Sequence, residues 1–325
     1  CIPEKHYMVD INGRLQQIKV LVDGGKYFTI NRARQYGKTT TLRALAEMLR
    51  DEYYVVLLDF QTFDNEKFSN GNVFSVAFAG SFLRVLRRNC KTMNNEMASV
   101  IDEMRKDADY ANRYFSLKEL FEGLSDICEA ADRKIVLMID EVDSAANNQV
   151  FIDFLAQLRA QYLDREFYPG FQSVILAGVY DIKNLKRKLR PEEGHRYNSP
   201  WNIAADFSIE MSFSESEIAG MLQEYESDHR TGMNISKMSE LLYAYTAGYP
   251  FLVSRICQLM DERVRDEYEN LKLVWTENGF NEAVRILLAE KNPLFESLVG
   301  KICDYPELSV MLKTLLFTGR NIAYN

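Results

Sequence analysis

The stretch Lys26–Thr41, KYFTINRARQYGKTTT, decides how the rest of the chain is read. It opens on a β-type run, Tyr27-Phe28-Thr29-Ile30, and closes on Gly37-Lys38-Thr39, where a helix begins. Strand, tight turn, Gly-Lys-Thr and helix together form a P-loop, a cradle for phosphates. A full Walker A motif reads GxxxxGK[ST], and here the position of its first glycine is Arg32. The half that meets phosphate is intact. N–H groups at the start of the helix Thr39–Leu49 point at an anion, and the helix dipole favours negative charge there. Lys38 adds a point charge for the β- and γ-phosphates, and the Thr39 hydroxyl suits a Mg²⁺ ligand. Taken alone, Gly-Lys-Thr also occurs in ordinary turns, so its setting has to confirm it.

The confirming partner is Ile135-Val-Leu-Met-Ile-Asp140-Glu141. An apolar run ending in Asp-Glu is the Walker B pattern. A buried strand delivers Asp140 to the C-terminal edge of a sheet, beside the P-loop, where it can hold Mg²⁺ directly or through water. Glu141 can polarise an attacking water as general base. A buried strand that merely stops at two acids would look the same, and the pairing with Gly-Lys-Thr argues against it. The separation between the motifs leaves room for an intervening strand, Tyr54–Asp59.

Around these motifs the chain alternates. An amphipathic helix with Ile11, Leu15, Ile18, Leu21 and Val22 at helical spacing ends at Gly24-Gly25. Continuous apolar runs at Tyr53–Phe60, Ile135–Ile139 and Ser173–Val179 read as parallel strands buried on both faces. Helical periodicity occupies Val73–Arg88, Asn94–Lys106, Leu117–Ala131 and Val150–Tyr162. Phe207, Ile209, Met211 and Phe213 alternate with polar residues and suggest a fifth strand. The expectation is an α/β fold, a P-loop NTPase core with a mainly parallel sheet and helices on both faces. Beyond Ser214 only helices are read: near Ile235–Thr246, Pro250–Tyr268, Thr276–Ala289, Leu294–Cys303 and Pro306–Leu316. Expected domains are a core over 1–213, a helical lid over 214–290, and a partial winged-helix-like segment over 291–325.

Composition narrows the function classes. A formal net charge of −8 argues against a coat of nucleic acid, though a local basic patch is compatible with it. No apolar run reaches the ~20 residues of a membrane span. The five cysteines are scattered, without CxxC or a Cys/His cluster, which reads as reduced thiols in the cytoplasm. No secretory leader is read at the start. A chain that begins with cysteine reads as trimmed, and the strand-like end GRNIAYN reads as continuing. GxSxG and HExxH are absent, and the acids Asp59, Asp64, Asp140 and Asp143 complete no PD…(D/E)xK nuclease pattern.

With its missing first glycine, its Ile139-Asp140-Glu141 and its Gly248-Tyr249-Pro250, the chain resembles bacterial ATPases of the AAA-like and STAND type, often fused to a restriction-nuclease-like domain. The resemblance is strongest at Tyr27–Leu45, Ile135–Ala145 and Ala247–Arg255. It implies a Mg²⁺-dependent ATPase of slow turnover that couples nucleotide state to lid closure and to control of a protein partner or fused effector domain. ATP would be held by Arg34, Gln35, Tyr36, Gly37, Lys38, Thr39 and Thr40, with Mg²⁺ on Thr39 and Asp140. Glu141 and Lys38 would be the catalytic pair. Gly248 and Pro250 would brace the adenine, and Arg255 would sense the γ-phosphate. The alternative is a nucleotide-gated scaffold or nucleic-acid-associated regulator, in a defence or mobile-element context, with little turnover. A DNA contact through the C-terminal segment and a homo-oligomer are further expectations.

Other features stay open between readings. Gly-Tyr-Pro also suits a plain helix-to-helix turn. Tyr7–Asp10 either packs on adenine or staples the first helix. Tyr180 or Asp181 would be the polar sensor of such ATPases. The basic stretch Lys183–Arg196 reads as an arginine finger with Arg190, a partner contact, or a solvated loop. Arg84, Arg87 and Arg88 are assigned to surface.

Overall fold

The computed structural model describes residues 6–90, 93–179, 201–267 and 271–318. The chain divides into two compact units, the first ending at Met211 and the second beginning at Ser212. Tyr180, Asp181 and the stretch 183–196, Arg190 included, lie outside the described residues, as does the end of the chain from 319.

In unit 1, β1 (Phe28–Asn31), β2 (Tyr54–Asp59), β3 (Ile135–Asp140) and β4 (Ser173–Gly178) form a fully parallel sheet in the order β1-β4-β3-β2. Thus β4 lies between the P-loop strand and the Walker B strand, while β2 flanks β3 on the far side. Side chains alternate between two cores, as a period of two requires. Val56, Leu58, Leu137, Ile139, Val174 and Leu176 face one core. It includes α3 (Gly71–Asn89), α4 (Asn95–Asp107), α5 (Leu117–Ala130) and α6 (Gln149–Leu163). Val55, Val136, Met138, Ile175 and Ala177 face the other, with α1 (Asn12–Asp23) and α2 (Lys38–Leu49). Both faces are therefore dry, which explains why these strands read as unbroken apolar runs. The first core is built around phenylalanines: Phe60, Phe74, Phe78, Phe151 and Phe154 are fully buried, with Phe74 and Phe154 crossing edge-on at 5.3 Å between ring centres. Side chains set the helix starts: Asn70 caps α3, Asn94 caps α4, and Ser116 with Glu119 closes a capping box on α5.

The expected fifth strand at 207–213 does not form. Residues 206–211 are extended without a ladder, and the segment meets β1 through one isolated parallel bridge, Phe28 with Ala205. The alternation has another cause. Phe207 and Ile209 are half-buried and Met211 fully buried against the α1/α2 core, while Asp206, Ser208 and Glu210 are exposed.

In unit 2 the regular elements among the described residues are all helical, the longer ones being α7 (Glu215–His229), α8 (Ile235–Thr246), α9 (Pro250–Leu259), α10 (Glu277–Ala289), α11 (Pro293–Asp304) and α12 (Pro306–Thr318). The single helix expected over Pro250–Tyr268 instead passes through a π-turn at Met260–Val264. Ser214 begins α7 with a capping box to Glu217. Leu222, Leu242, Val253, Ile256, Leu259, Ala283 and Leu287 form its interior. Over 291–318 the structure holds the last two helices and no strand.

Candidate functional site

The parallel sheet brings the C-terminal ends of β1, β3 and β4 to one edge, where open α/β sheets place their ligands. The turn from β1 into α2 is made by two residues in the left-handed region, Gln35 at φ 58° and Gly37 at φ 79°. Gly37 is needed there for its conformation, since a Cβ on it would meet nothing within 4 Å. It stands at the N-cap of α2 and offers no side-chain cap, and Thr41 N–H is the first to reach its carbonyl, at 2.9 Å. Helix geometry leaves the N–H groups of Lys38, Thr39 and Thr40 without an intrahelical acceptor, a set of donors for an anion.

Lys38 is 5% exposed, and its ammonium donates to the carbonyls of Arg32 at 3.0 Å and Ala33 at 3.1 Å. Desolvation lowers its pKa, opposed chiefly by the charges of Glu141, Asp143 and Asp140. The Thr39 hydroxyl donates to Asp140 Oδ2 at 2.5 Å, joining the first turn of α2 to the end of β3. Asp140 is 4% exposed, and its other oxygen accepts the N–H of Glu141 at 2.9 Å. Two hard oxygen donors meet here, which is the donor chemistry that could hold Mg²⁺.

Glu141 turns the chain sharply, with φ 52°. The turn is held by Ser144, whose hydroxyl donates to Phe60 O at 3.0 Å and to Glu141 O at 2.9 Å. Burial, then the neighbouring Asp140 charge, raises the pKa of Glu141, and Lys38 pulls against both. Asp143 is the residue that motif reading passed over. Its Oδ2 accepts the N–H of Val179 at 2.6 Å, tying the end of β4 to the turn after β3. Gly178 permits the approach, since a Cβ there would lie 2.9 Å from Val142 and 3.0 Å from Asp143. The signal available was an acid three residues beyond the Walker B aspartate. Asn31 ends β1 at the same edge with its Oδ1 buried and unpartnered.

Arg34, Tyr36 and Thr40 lie on the loop and the first turn as the motif places them: Arg34 is exposed, Tyr36 and Thr40 half-buried. Asp10 accepts the N–H of Asn12 at 2.8 Å and so helps to start α1. Arg84, Arg87 and Arg88 are exposed, with Arg87 paired to Asp102.

The remaining expected residues belong to unit 2. Ala247 and Gly248 are both left-handed, at φ 48° and 71°, and Pro250 is the first residue of α9. Phe213 N–H donates to Gly248 O at 2.8 Å, and a Cβ on Gly248 would stand 1.9 Å from the Phe213 carbonyl oxygen. Gly-Tyr-Pro is thus a turn that packs directly on the chain entering unit 2. Arg255 is held in a two-pronged pair with Glu290, at 2.6 and 3.2 Å, and donates to Gln258 at 2.8 Å.

A profile described as AAA-like domain matches residues 5–278. Among solved structures, the chain is similar to the ORC2 protein of Aeropyrum pernix in ADPNP–ADP complexes. The identity is 12%, over 96% of this chain and 86% of that one, with a TM-score of 0.47. It is similar also to Cdc6p from Pyrobaculum aerophilum, at 15% identity over 79% of this chain and 62% of that one, with a TM-score of 0.39. Among curated proteins, none matches.

Proposed function

Because the chain belongs to the AAA-like domain family, we propose that it binds and slowly hydrolyses ATP with Mg²⁺, as a STAND-type switch. The observation that carries this reading is the 2.5 Å bond between Thr39 and Asp140 beside the buried ammonium of Lys38. Phosphates would take the N–H groups at the start of α2 and the Lys38 ammonium in place of the Arg32 and Ala33 carbonyls. Thr39 and Asp140 would hold Mg²⁺, which supplies charge neutralisation for the β- and γ-phosphates when bound. Glu141, held beside Asp140 by a strained turn, would accept the proton of the attacking water. Its raised pKa keeps it a stronger base than an exposed glutamate.

Nucleotide state would control a protein partner or a fused effector domain, and a homo-oligomer is part of the same proposal. The described cysteines are free thiols, which suits the reducing cytoplasm proposed for it. No helix among the described residues is long and apolar enough to cross a membrane. The direct test is a titration with a fluorescent ATP analogue, with and without Mg²⁺. Micromolar binding that requires Lys38 supports the reading, and equal binding by Lys38→Ala overturns it.

A further inference from the structure

Arg32 stands where a Walker A loop ordinarily begins with glycine, and its partners reach in three directions. Its N–H donates to Gly178 O at 3.2 Å, continuing the pairing of β1 with β4. Its guanidinium donates to Asn31 O at 2.9 Å and, through the other terminal nitrogen, to Ile209 O at 2.9 Å. The guanidinium carbon also lies 5.5 Å from the centre of the Phe207 ring, which stacks on Phe28 at 5.8 Å and 7°. Finally, its carbonyl accepts from Lys38 at 3.0 Å. One residue connects the sheet edge, the lysine of the phosphate loop and the extended segment 205–211.

That segment has few other ties to β1. Ala205 N–H donates to Tyr27 O at 2.8 Å, and no further backbone rung follows among the described residues. A parallel strand would have made evenly spaced rungs along its length. Here the guanidinium supplies the donor that the missing ladder does not, at a carbonyl four residues beyond the bridge. Glycine at position 32 could neither donate to Ile209 nor cover Phe207. The segment ends at Met211, where unit 1 ends.

We infer that Arg32 is a positioning residue through which the 205–211 segment responds to occupancy of the phosphate loop. The inference rests on the phosphate-binding reading of the loop. The Lys38 ammonium is held by the carbonyls of Arg32 and Ala33. A phosphate oxygen offers the ammonium a full opposite charge where a carbonyl offers only a dipole, so the ammonium turns from the carbonyls to the anion. The Arg32 carbonyl then loses its donor, its peptide units reorient, and the guanidinium on the same residue releases Ile209 O and Phe207.

Hydrogen exchange over 205–213 tests this in the full chain, with and without saturating MgATP, while a fluorescent ATP analogue reports binding in parallel. Wild type should exchange roughly tenfold faster there with MgATP, the effect of releasing one charged hydrogen bond. Arg32→Gly should exchange at the fast rate in both conditions. Arg32→Lys keeps a donor but lacks the planar fork, and should retain part of the nucleotide response. A wild type that binds the analogue yet shows no change over 205–213 overturns the inference, as does an Arg32→Gly or Arg32→Lys protein with the full wild-type response. Failure of wild type to bind the analogue at all overturns the phosphate-site reading instead.

Discussion

The Thr39 hydroxyl donates to Asp140 Oδ2 across 2.5 Å, although 101 residues separate them in the chain. This bond joins the two halves of the proposed Mg²⁺ site, one on the first turn of α2 and one at the end of β3. Removing the hydroxyl leaves Asp140 buried with a partner fewer. Thr39→Ala should therefore bind the nucleotide without Mg²⁺ nearly as wild type does, and lose roughly tenfold of the affinity that Mg²⁺ adds. Paired titrations with and without Mg²⁺ check it; an unchanged Mg²⁺ increment would remove Thr39 from the site.

Lys38 is the one buried ammonium of the loop. Its replacement by alanine should cost a charged hydrogen bond to phosphate, about 1.5–3 kcal/mol, or roughly 10–100-fold in ATP affinity. Isothermal titration of both proteins at one ionic strength reads this directly.

Glu141→Gln should still bind ATP and lose about 10²–10⁴-fold in hydrolysis, the range of a general base. The pH dependence has a definite sign. The folded pKa of Glu141 lies above its ordinary value of 4.5, so the wild-type rate should fall on the acid side at a pH above 4.5. The same shift means that the protonated form favours folding. That contribution is complete below pH 4.5 and lost as pH rises through the folded pKa. Glutamine mimics the protonated form, so Glu141→Gln should melt higher than wild type at neutral pH, with the gain vanishing below pH 4.5. Thermal melts across pH 4–8 without nucleotide test the stability arm, and steady-state phosphate release tests the catalytic one. Binding without measurable wild-type turnover would favour the gated scaffold.

Gly248→Ala should destabilise unit 2 even without nucleotide. The new Cβ meets the Phe213 carbonyl at 1.9 Å, and the left-handed φ of 71° is strained for any side chain. We expect a loss of about 1–3 kcal/mol, seen as a lower denaturant midpoint. An unchanged midpoint would show that the Phe213 backbone yields at little cost.

Arg255 and Glu290 form a pair only about a quarter exposed on each side. Arg255→Ala should cost about 1 kcal/mol of stability in the nucleotide-free protein, since the pair is more sheltered than an ordinary surface bridge. The double change with Glu290→Gln should cost less than the two single changes summed, and a double-mutant cycle by chemical denaturation measures that coupling.

Much of the fold that frames the candidate site is legible in the sequence, because the signals that specify it are local. Gly37, Lys38 and Thr39 sit where a strand-like run gives way to helical spacing, and Ile135–Ile139 reads as a strand because each of its side chains is buried in one core or the other. Helix limits such as Ile235–Thr246 were legible for the same reason: caps and periodicity act within a few residues. What only the tertiary structure decided depends on partners far along the chain. It inserted β4 between β1 and β3, since strand order follows from crossovers that periodicity does not record. It left 206–211 unpaired, because an alternating pattern reports which side chains meet a core, not whether a neighbouring backbone offers rungs. It gave Arg32 a carbonyl 177 residues away, and it bound Arg255 to Glu290. Residue types and spacing determine which groups can bind phosphate and metal. Distances between remote backbones determine what those groups are tied to.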